Sequence, residues 1–160
     1  MKAIVTGGAG FIGSNLVDAL LARGDNVTIV DNFASGKREL VNPAATLLEH
    51  DIREPFSMDA DVVFHLAAQA DVQTSMKNPG YDAAVNVVGT ANVLQAAGKA
   101  QVIFSSSGGA GYGECTDPAT EDSPFEPLSP YGIAKLCGEA YLAGWNRTHG
   151  TNHVTLRFAN

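Results

Sequence analysis

The sequence predicts a three-layer α/β domain, in which a mostly parallel, doubly wound sheet lies between helices on both faces. Short apolar runs alternate along the chain with longer segments of helical period, and this alternation is typical of parallel strands joined by covering helices. The composition agrees with this prediction. Hydrophobic residues make up 45% of the chain and charged residues only 17%, as expected for strands buried on both faces.

The apolar runs predict six strands. They are Lys2 to Thr6, Asn26 to Val30, Thr46 to His50, Asp61 to His65, Gln101 to Ser105 and His153 to Phe158. Apolar residues at three- and four-residue spacing predict three long helices. These helices run from Phe11 to Arg23, from Gly80 to Ala97 and from Pro130 to His149. The stretch from Gly111 to Ser129 contains several prolines and is expected to be a loop, because proline interrupts regular structure.

Charge and cysteine content argue against several classes of function. The formal net charge is −7 and the ten Lys and Arg are scattered, so no basic stripe is available for nucleic-acid phosphates. Met1 and Lys2 lead directly into the first strand, without an apolar leader or a membrane span of about 18 residues, so a cytoplasmic location is expected. Cys115 and Cys137 lack metal or redox spacing, and the four histidines have no partner ligands, so no metal site is expected.

A glycine-rich loop follows the first predicted strand. Gly7, Gly10 and Gly13 lie between a strand and an amphipathic helix, which is the context of a Rossmann-type dinucleotide-binding loop. The first glycine permits the tight turn, the second lets the backbone approach a pyrophosphate, and the third lets the helix lie close to the strand. The helix N-terminus then offers free N–H groups and a partial positive charge to the phosphates.

An acidic residue at the end of the second strand strengthens this interpretation. Asp31 lies about 20 residues after the last glycine of the loop. A carboxylate at this position accepts hydrogen bonds from ribose hydroxyls and repels the additional phosphate of NADP, so NAD is the favoured cofactor. Lys37 and Arg38 are close in sequence and keep NADP as an alternative.

A tyrosine and a lysine form the candidate catalytic pair. In Tyr131-Gly-Ile-Ala-Lys135 the two side chains are four residues apart, hence on one face of a helix. This spacing alone is also typical of a solvated helix face. The pair, however, opens a helix just after Ser129-Pro130 and follows a strand that ends in three serines. A nearby cation lowers the pKa of a phenol, so Tyr131 is the candidate acid or base and Lys135 its helper.

Further short signatures run along the whole chain. They are Val30-Asp-Asn32, His50-Asp-Ile52, His65-Leu-Ala-Ala68, Asn86-Val-Val-Gly-Thr90, Ser105-Ser-Ser107, Tyr112-Gly113 and Leu156-Arg-Phe158. With the glycine loop and the Tyr-Lys pair, they resemble the extended short-chain dehydrogenases/reductases of the NAD-dependent epimerase/dehydratase family. Within that family, the resemblance is closest to nucleotide-sugar epimerases of the UDP-glucose 4-epimerase kind.

The resemblance implies a Rossmann sheet of order 3-2-1-4-5-6 and a set of NAD-binding positions. The implied neighbours of the pyrophosphate are Gly7, Gly10, Phe11, Ile12 and Gly13. Asp31 and Asn32 would bind the adenosine ribose, and Asp51 and Ile52 would flank the adenine. The middle of the cofactor would be lined by Leu66, Ala67 and Ala68, with Asn86 bracing the loop beside it and Ser105, Tyr131 and Lys135 also in the cofactor set.

The resemblance also implies a reaction. Tyr131 would remove a proton from a sugar hydroxyl while carbon 4 of the sugar gives hydride to NAD, with Lys135 and Ser107 completing the catalytic set. Gly108 stands where the family usually has its catalytic Ser or Thr, so Ser107 is equally well interpreted as a hydroxyl that bonds the backbone at the strand end. Related dehydratases carry Thr-Asp-Glu where this chain has Ser-Gly-Gly, which disfavours dehydration.

Family members continue for roughly as long again and add a domain for the sugar nucleotide. Residues 1–160 are therefore expected to form one NAD-binding domain without that substrate domain, either excised or naturally short. Three functions stay open: a nucleotide-sugar epimerase, a module that binds NAD without turnover, and a reductase of small carbonyls. Because family members often dimerise through two helices, the expected partners are a nucleotide sugar and a second copy bound through helices 80–97 and 130–149, with no nucleic acid or membrane.

Overall fold

The computed structural model describes residues 1–159, which contain one six-stranded sheet. The strands are β1 (Lys2–Thr6), β2 (Asn26–Asp31), β3 (Thr46–Glu49), β4 (Val62–His65), β5 (Gln101–Ser107) and β6 (Val154–Phe158). All neighbouring strands are parallel, and their order is β3-β2-β1-β4-β5-β6. The predicted fold class and strand order are confirmed, and the strand ends differ from the predicted ones by two residues or fewer.

Six α-helical segments occur within residues 1–159. They are α1 (Phe11–Ala22), α2 (Val72–Lys77), α3 (Pro79–Ala83), α4 (Gly89–Ala97), α5 (Gly108–Gly111) and α6 (Pro130–His149). A π-helical turn, Ala84–Val88, joins α3 to α4, and Arg38–Leu40 form a 3-10 turn. The second predicted helix is therefore interrupted rather than one regular α-helix.

Two short helices, α2 and α5, were not predicted from apolar periodicity, and each is stabilised by a side-chain cap at its start. The side chain of Asp71 accepts a hydrogen bond from the Thr74 N–H at the start of α2, and Ser107 does the same for Ala110 in the glycine-rich α5. Such caps satisfy N–H groups that a helix end leaves free. Both helices are only one to two turns long, so they carry too few residues to show a helical period.

The two faces of the sheet are covered by different helices. On one face, Val17 and Leu20 of α1 pack against a cluster that includes Val5 and Ile29. On the other face, α4 and α6 bury a second cluster around Phe104. Alternate residues of each strand contribute to the two clusters, as expected for a sheet with helices on both sides.

Part of the α1 face is only partly covered by the described residues. Val154, Leu156 and Phe158 of β6 stand on this face, because they pair in register with Ile103 and its same-face neighbours of β5. These three side chains are between 38% and 45% exposed. The opposite face is closed over the same strands, where Phe104 is only 1% exposed. Helices α4 and α6 therefore cover one face of the sheet, whereas the other face is partly exposed at β6.

The described helices include none that combines the length and the apolar character needed to cross a bilayer.

Candidate cofactor cleft and catalytic pair

A cleft of about 360 Å³ lies at the carboxyl ends of β1, β2, β4 and β5. This position is the point where the strand order reverses, between β1 and β4, and it is where open α/β sheets bind their ligands. The predicted cofactor positions that line this cleft are Gly7, Gly10, Phe11, Ile12, Gly13, Asp31, Asn32, Asp51, Ile52, Leu66, Ala67, Ala68, Ser105, Tyr131 and Lys135. Asn86, which was predicted for the cofactor site, and Ser107, which was predicted for the catalytic set, do not line it.

The three glycines of the loop meet different spatial limits. Gly7 has φ +73°, a conformation that side chains other than glycine rarely adopt. A Cβ at Gly13 would lie 2.1 Å from the carbonyl oxygen of Gly7, so only glycine lets α1 begin this close to the loop. A Cβ at Gly10 would meet only that same oxygen, at 3.3 Å. Gly10 is therefore the glycine that the fold itself requires least.

The start of α1 fits a dinucleotide pyrophosphate. Gly10 caps the helix without a side-chain hydrogen bond, and no acidic residue occupies the first turn. The N–H groups of Phe11, Ile12 and Gly13 precede the first residue that can bond within the helix. The Phe11 side chain is 82% exposed and Ile12 is also exposed, both at the edge of the cleft. Free N–H groups and the helix dipole together favour an anion here.

Asp31 connects the glycine loop to the segment after β2. Its Oδ2 accepts the Ala9 N–H at 2.9 Å and its Oδ1 accepts the Phe33 N–H at 2.8 Å. A Cβ at Gly36 would lie 2.8 Å from Oδ1, so this glycine packs directly on the carboxylate. Asp31 is only 8% exposed. Its two oxygens keep free lone pairs, so it can still accept from a ribose.

The two basic residues that kept NADP as an alternative lie outside the lining of the cleft. Arg38 donates to Glu49 at 2.6 Å and its guanidinium lies 4.2 Å from the centre of the Phe33 ring. Lys37 is 4.0 Å from Glu39. Their engagement with carboxylates favours NAD over NADP, in the same sense as Asp31.

Asp51 joins the ends of β2 and β3 beside the proposed adenine position. It accepts from the side chain of Asn32 at 2.9 Å and from two nitrogens of Arg53 at 3.0 and 2.7 Å. The hydrogen bonds from Arg53 hold the pKa of Asp51 far below its usual range. Arg53 also lies 5.5 Å from the ring centre of Tyr81, which sequence reasoning missed as a residue lining the cleft.

A buried chain of polar groups holds the loop after β4. The Ala67 N–H donates to the Thr6 hydroxyl at 3.3 Å, and that hydroxyl lies 2.7 Å from His65 Nδ1. His65 Nε2 is 3.0 Å from the Thr90 hydroxyl, which itself donates to the carbonyl of Asn86. Because the Thr90 proton is used in this way, the network assigns the His65 proton to Nε2. Complete burial lowers the pKa of His65 to about 3, so its role here is structural.

Asn86 braces the same loop from the π-helical turn. Its side chain accepts from the Gln69 N–H at 3.0 Å and donates to the Gln69 carbonyl at 2.9 Å. It also donates to Asp82 at 3.0 Å. Asn86 thus contacts the loop that forms the wall of the cleft rather than the cleft itself. Gln69 lines the cleft and was missed from the sequence, although it directly follows the His65-Leu-Ala-Ala68 signature.

The Tyr131–Lys135 pair occupies the first turns of α6. The helix begins here because the Ser129 side chain accepts the Gly132 N–H and Pro130 occupies the first turn. Lys135 is 4% exposed and donates to the Ser105 carbonyl at 3.0 Å. Burial lowers the pKa of its ammonium to about 8. The ammonium lies 4.9 Å from the ring centre of Phe104 and 5.7 Å from that of Tyr131.

The expected effect of Lys135 on Tyr131 is not found in this structure. Burial raises the pKa of the Tyr131 phenol above its ordinary value, and the charge of Asp82 raises it further. The ammonium of Lys135 donates instead to the Ser105 carbonyl. The sequence pattern placed both side chains on one face of the helix, but it did not reveal the buried carboxylate on a neighbouring helix.

Ser107 is the N-cap of α5. Its hydroxyl oxygen accepts the Ala110 N–H at 3.2 Å, and the side chain does not line the cleft. This arrangement agrees with the structural alternative for Ser107. Ser106 donates to Glu139 at 2.6 Å, and Ser105 donates to the His65 carbonyl at 3.0 Å. Ser105 and Ser106, rather than Ser107, line the same cleft as Tyr131.

These features define a class of protein: a Rossmann-type dinucleotide-binding domain whose cleft also contains a half-buried tyrosine and a buried lysine. The comparisons with known proteins narrow the class. Residues 3–160 match the model of the NAD dependent epimerase/dehydratase family. The chain therefore belongs to this family.

Individual relatives agree with the family assignment. A putative UDP-glucose 4-epimerase of Methanocaldococcus jannaschii is 43% identical, over 98% of this chain and 55% of the relative. A UDP-glucose 4-epimerase of Thermotoga maritima, solved with UDP-glucose, superposes with a TM-score of 0.94 at 42% identity, over 100% of this chain and 56% of that one. The enzyme of Thermus thermophilus, solved with NAD, gives 0.91 at 39% identity, over 98% and 54%. The chain thus spans about half the length of the relatives it matches.

Proposed function

We propose that this chain binds NAD in the cleft and forms the cofactor-binding and catalytic-base half of a nucleotide-sugar epimerase. One observation carries the proposal: the glycine loop, Asp31 and the Tyr131–Lys135 pair line the same cleft. A binding loop without the pair would support a binding module only. The similar structures solved with NAD and with UDP-glucose support the cofactor and the substrate class.

The residues of this chain divide the chemistry between them. The first turn of α1 binds the pyrophosphate, and Asp31 orients the adenosine ribose. Lys135, held by the Ser105 carbonyl, fixes the far end of the cofactor next to Tyr131. NAD supplies a hydride acceptor for carbon 4 of the sugar. Tyr131 accepts the proton of the hydroxyl on that carbon and returns it when the sugar is reduced again on its other face.

The relatives are about twice as long, and we propose that in the epimerase a further domain holds the uridine nucleotide over the Tyr131 end. The open side of β6 lies at the end of the described chain, and a contact there with such a domain accounts for its exposed apolar side chains. Residues 1–160 then form the NAD-binding domain of that enzyme.

Calorimetric titration of this chain with NAD tests the cofactor proposal. We expect saturable binding by the parent chain and at least a tenfold loss in Gly10→Ala, because the added Cβ meets only one protein atom and instead obstructs the approach of the phosphates. Gly144→Ala is the matched control, since a Cβ there meets nothing within 4 Å. Absence of binding at millimolar NAD in the folded parent would overturn the proposal.

Turnover is tested separately by incubating the chain with NAD and UDP-galactose. We expect conversion to UDP-glucose only when the downstream domain is supplied, and we expect Tyr131→Phe to abolish it. Conversion of UDP-galactose by the Tyr131→Phe variant would show that Tyr131 is not the catalytic base.

A binding module without turnover is the second candidate. It is favoured by one observation, namely that the Ser107 hydroxyl caps α5 instead of facing the cleft. Tight NAD binding, with no conversion of UDP-galactose or UDP-N-acetylglucosamine by the extended protein, would favour this candidate over the epimerase.

We also propose a homodimer through α3–α4 and α6. Val88, Ile133 and Tyr141 on these helices are between 42% and 52% exposed, which provides apolar surface for a second copy. Analytical ultracentrifugation of the parent and of Val88→Glu tests this: dimers are expected for the parent and monomers for the variant, and a monomeric parent would contradict the proposal.

A further inference from the structure

Asp82 of α3 is a buried acid that the proposed chemistry does not use. It is 1% exposed. Its Oδ1 accepts from the side chains of Gln69 at 2.8 Å and Asn86 at 3.0 Å. Within residues 1–159, its Oδ2 has no hydrogen-bond partner. A buried carboxylate that is only half bonded is costly, and it persists only where the surroundings compensate its charge.

The compensating charge lies on the neighbouring helix. Both α3 and the π-helical turn pack against α6, and Lys135 is the buried cation of that helix. Gln69 and Asn86 supply only neutral donors to Asp82. The half-bonded carboxylate and the buried ammonium therefore lie on two helices that pack against each other, and the ammonium itself donates to the Ser105 carbonyl.

The other charged and titratable groups around this contact are neutral, exposed or paired. His65 of β4 is buried and uncharged. Asp71 and Lys77, at the two ends of α2, are exposed. Glu139 of α6 is paired with Arg157 of β6 at 2.7 Å. Burial raises the pKa of the Tyr131 phenol, so this group is neutral at ordinary pH.

We propose that Asp82 is a positioning residue of the catalytic pair: through Oδ1 it holds Gln69 and Asn86 in place, and through its unpartnered Oδ2 it places a negative charge opposite Lys135 and Tyr131. Lys135 is thereby kept protonated in a site that otherwise disfavours its charge. The same charge further disfavours loss of the Tyr131 proton. The effect on turnover rests on the proposed function, whereas the effect on the two side chains does not.

Lys135 and Tyr131 respond to Asp82 in the same direction. Its negative charge raises the pKa of Lys135 against the effect of burial, and it also raises the pKa of Tyr131. Removing the charge without changing the shape must therefore lower both. A purely structural role in bracing Gln69 predicts no such paired shift.

The test is an NMR titration of the chain labelled at lysine Cε and tyrosine Cζ, without cofactor. Lys135→Met and Tyr131→Phe assign the two signals. In Asp82→Asn, the side-chain oxygen can still accept from Gln69 and Asn86, but the charge is gone. We expect the pKa of Lys135 to move below its parent value of about 8 and the Tyr131 midpoint to move down with it. Asp71→Asn is the control, since asparagine also caps a helix, and it is expected to move neither.

Unchanged midpoints in a folded Asp82→Asn would overturn the proposal. A double-mutant cycle keeps the test decisive if that variant unfolds. Lys135→Met should destabilise the chain more when Asp82 is present than when it is asparagine, because an uncompensated buried charge remains only in the first case. Additive shifts of the urea midpoint would equally overturn the proposal. Neither measurement depends on NAD binding, so failure of the proposed function is recognised separately by calorimetry.

Discussion

The glycine-loop end of the cleft is built from consecutive residues and mainly from backbone groups, whereas the Tyr131 end is built from side chains that several remote segments bring together. At the first end, Gly7, Gly10 and Gly13 leave room for the backbone, and the N–H groups of α1 face the ligand. At the second end, Lys135 meets the Ser105 carbonyl across the sheet and helix layers. The first end therefore tolerates little added side-chain volume, whereas the chemistry of the second end depends on which of its groups are protonated.

The largest change in the free energy of unfolding is expected on acidification, through the buried His65. His65 has a pKa of about 3 in the folded chain, against an ordinary value of 6.5. Between these values the unfolded chain binds a proton that the folded chain does not, so stability falls as pH falls, by about 5 kcal/mol over the whole window. Above pH 6.5 both states are neutral and the group contributes no pH dependence.

Urea unfolding of the parent and of His65→Leu from about pH 7 to about pH 4 measures this contribution. We expect the variant to be less stable at neutral pH, because Thr6 and Thr90 lose their shared partner, but to lose less stability on acidification. His149→Gln, at an exposed position, should keep the slope of the parent. Equal slopes for the parent and His65→Leu would show that His65 takes a proton in the folded chain.

A slightly smaller loss is expected from added volume at the first end. Gly13→Ala places a Cβ 2.1 Å from the Gly7 carbonyl oxygen. Backbone must move to relieve this overlap, so we expect a loss of roughly 3 kcal/mol. Thermal unfolding compares this variant with Gly144→Ala, which should be neutral or stabilised by up to about 1 kcal/mol, since alanine favours the helix. Equal melting temperatures for the two variants would mean that the loop adapts freely.

The start of α6 gives an intermediate effect. Ser129→Ala removes the hydroxyl oxygen that accepts the Gly132 N–H at 3.1 Å, so we expect a loss of about 1 kcal/mol. Because this helix carries Tyr131 and Lys135, fraying should also increase amide exchange in its first turn. Ser129→Asp, which retains an acceptor, should preserve both properties. Unaltered exchange in Ser129→Ala would show that Pro130 alone holds the helix start.

The smallest effect on stability is expected at the candidate base. Within residues 1–159 the structure gives the Tyr131 hydroxyl no protein hydrogen bond, so Tyr131→Phe should change the unfolding free energy by less than about 0.5 kcal/mol. The variant should bind NAD nearly as well as the parent while the extended enzyme loses turnover. A large loss of stability would mean that the phenol has a structural partner.

Much of the fold and of the first end of the cleft could be predicted from local patterns. The alternation of apolar runs and helical segments indicated the strands and the first and third long helices, because burial on two faces constrains every residue of an inner strand. Glycine spacing and Asp31 indicated the phosphate loop because each acts through neighbours in sequence. Gly36 and Tyr81 were missed because their places in the cleft arise from packing against Asp31 and Arg53.

At the second end, the sequence predicted the two residues of the pair but not the burial and the charges that surround them. Spacing placed Tyr131 and Lys135 on one helix face, yet it predicted a lowered phenol pKa where burial and Asp82 raise it. The role of Ser107 as a helix cap also depended on the short α5, which has no periodic signal.

The sequence by itself determined the fold class, the strand order implied by its family resemblance, the glycine loop and the candidate catalytic pair, because these depend on residue type at short spacing. Only the tertiary structure decided which groups are charged, which hydroxyls face the cleft and which face of the sheet stays open. Solvation and charge interactions depend on distance in space, and Asp82 and Lys135 are far apart in sequence but lie on two helices that pack together.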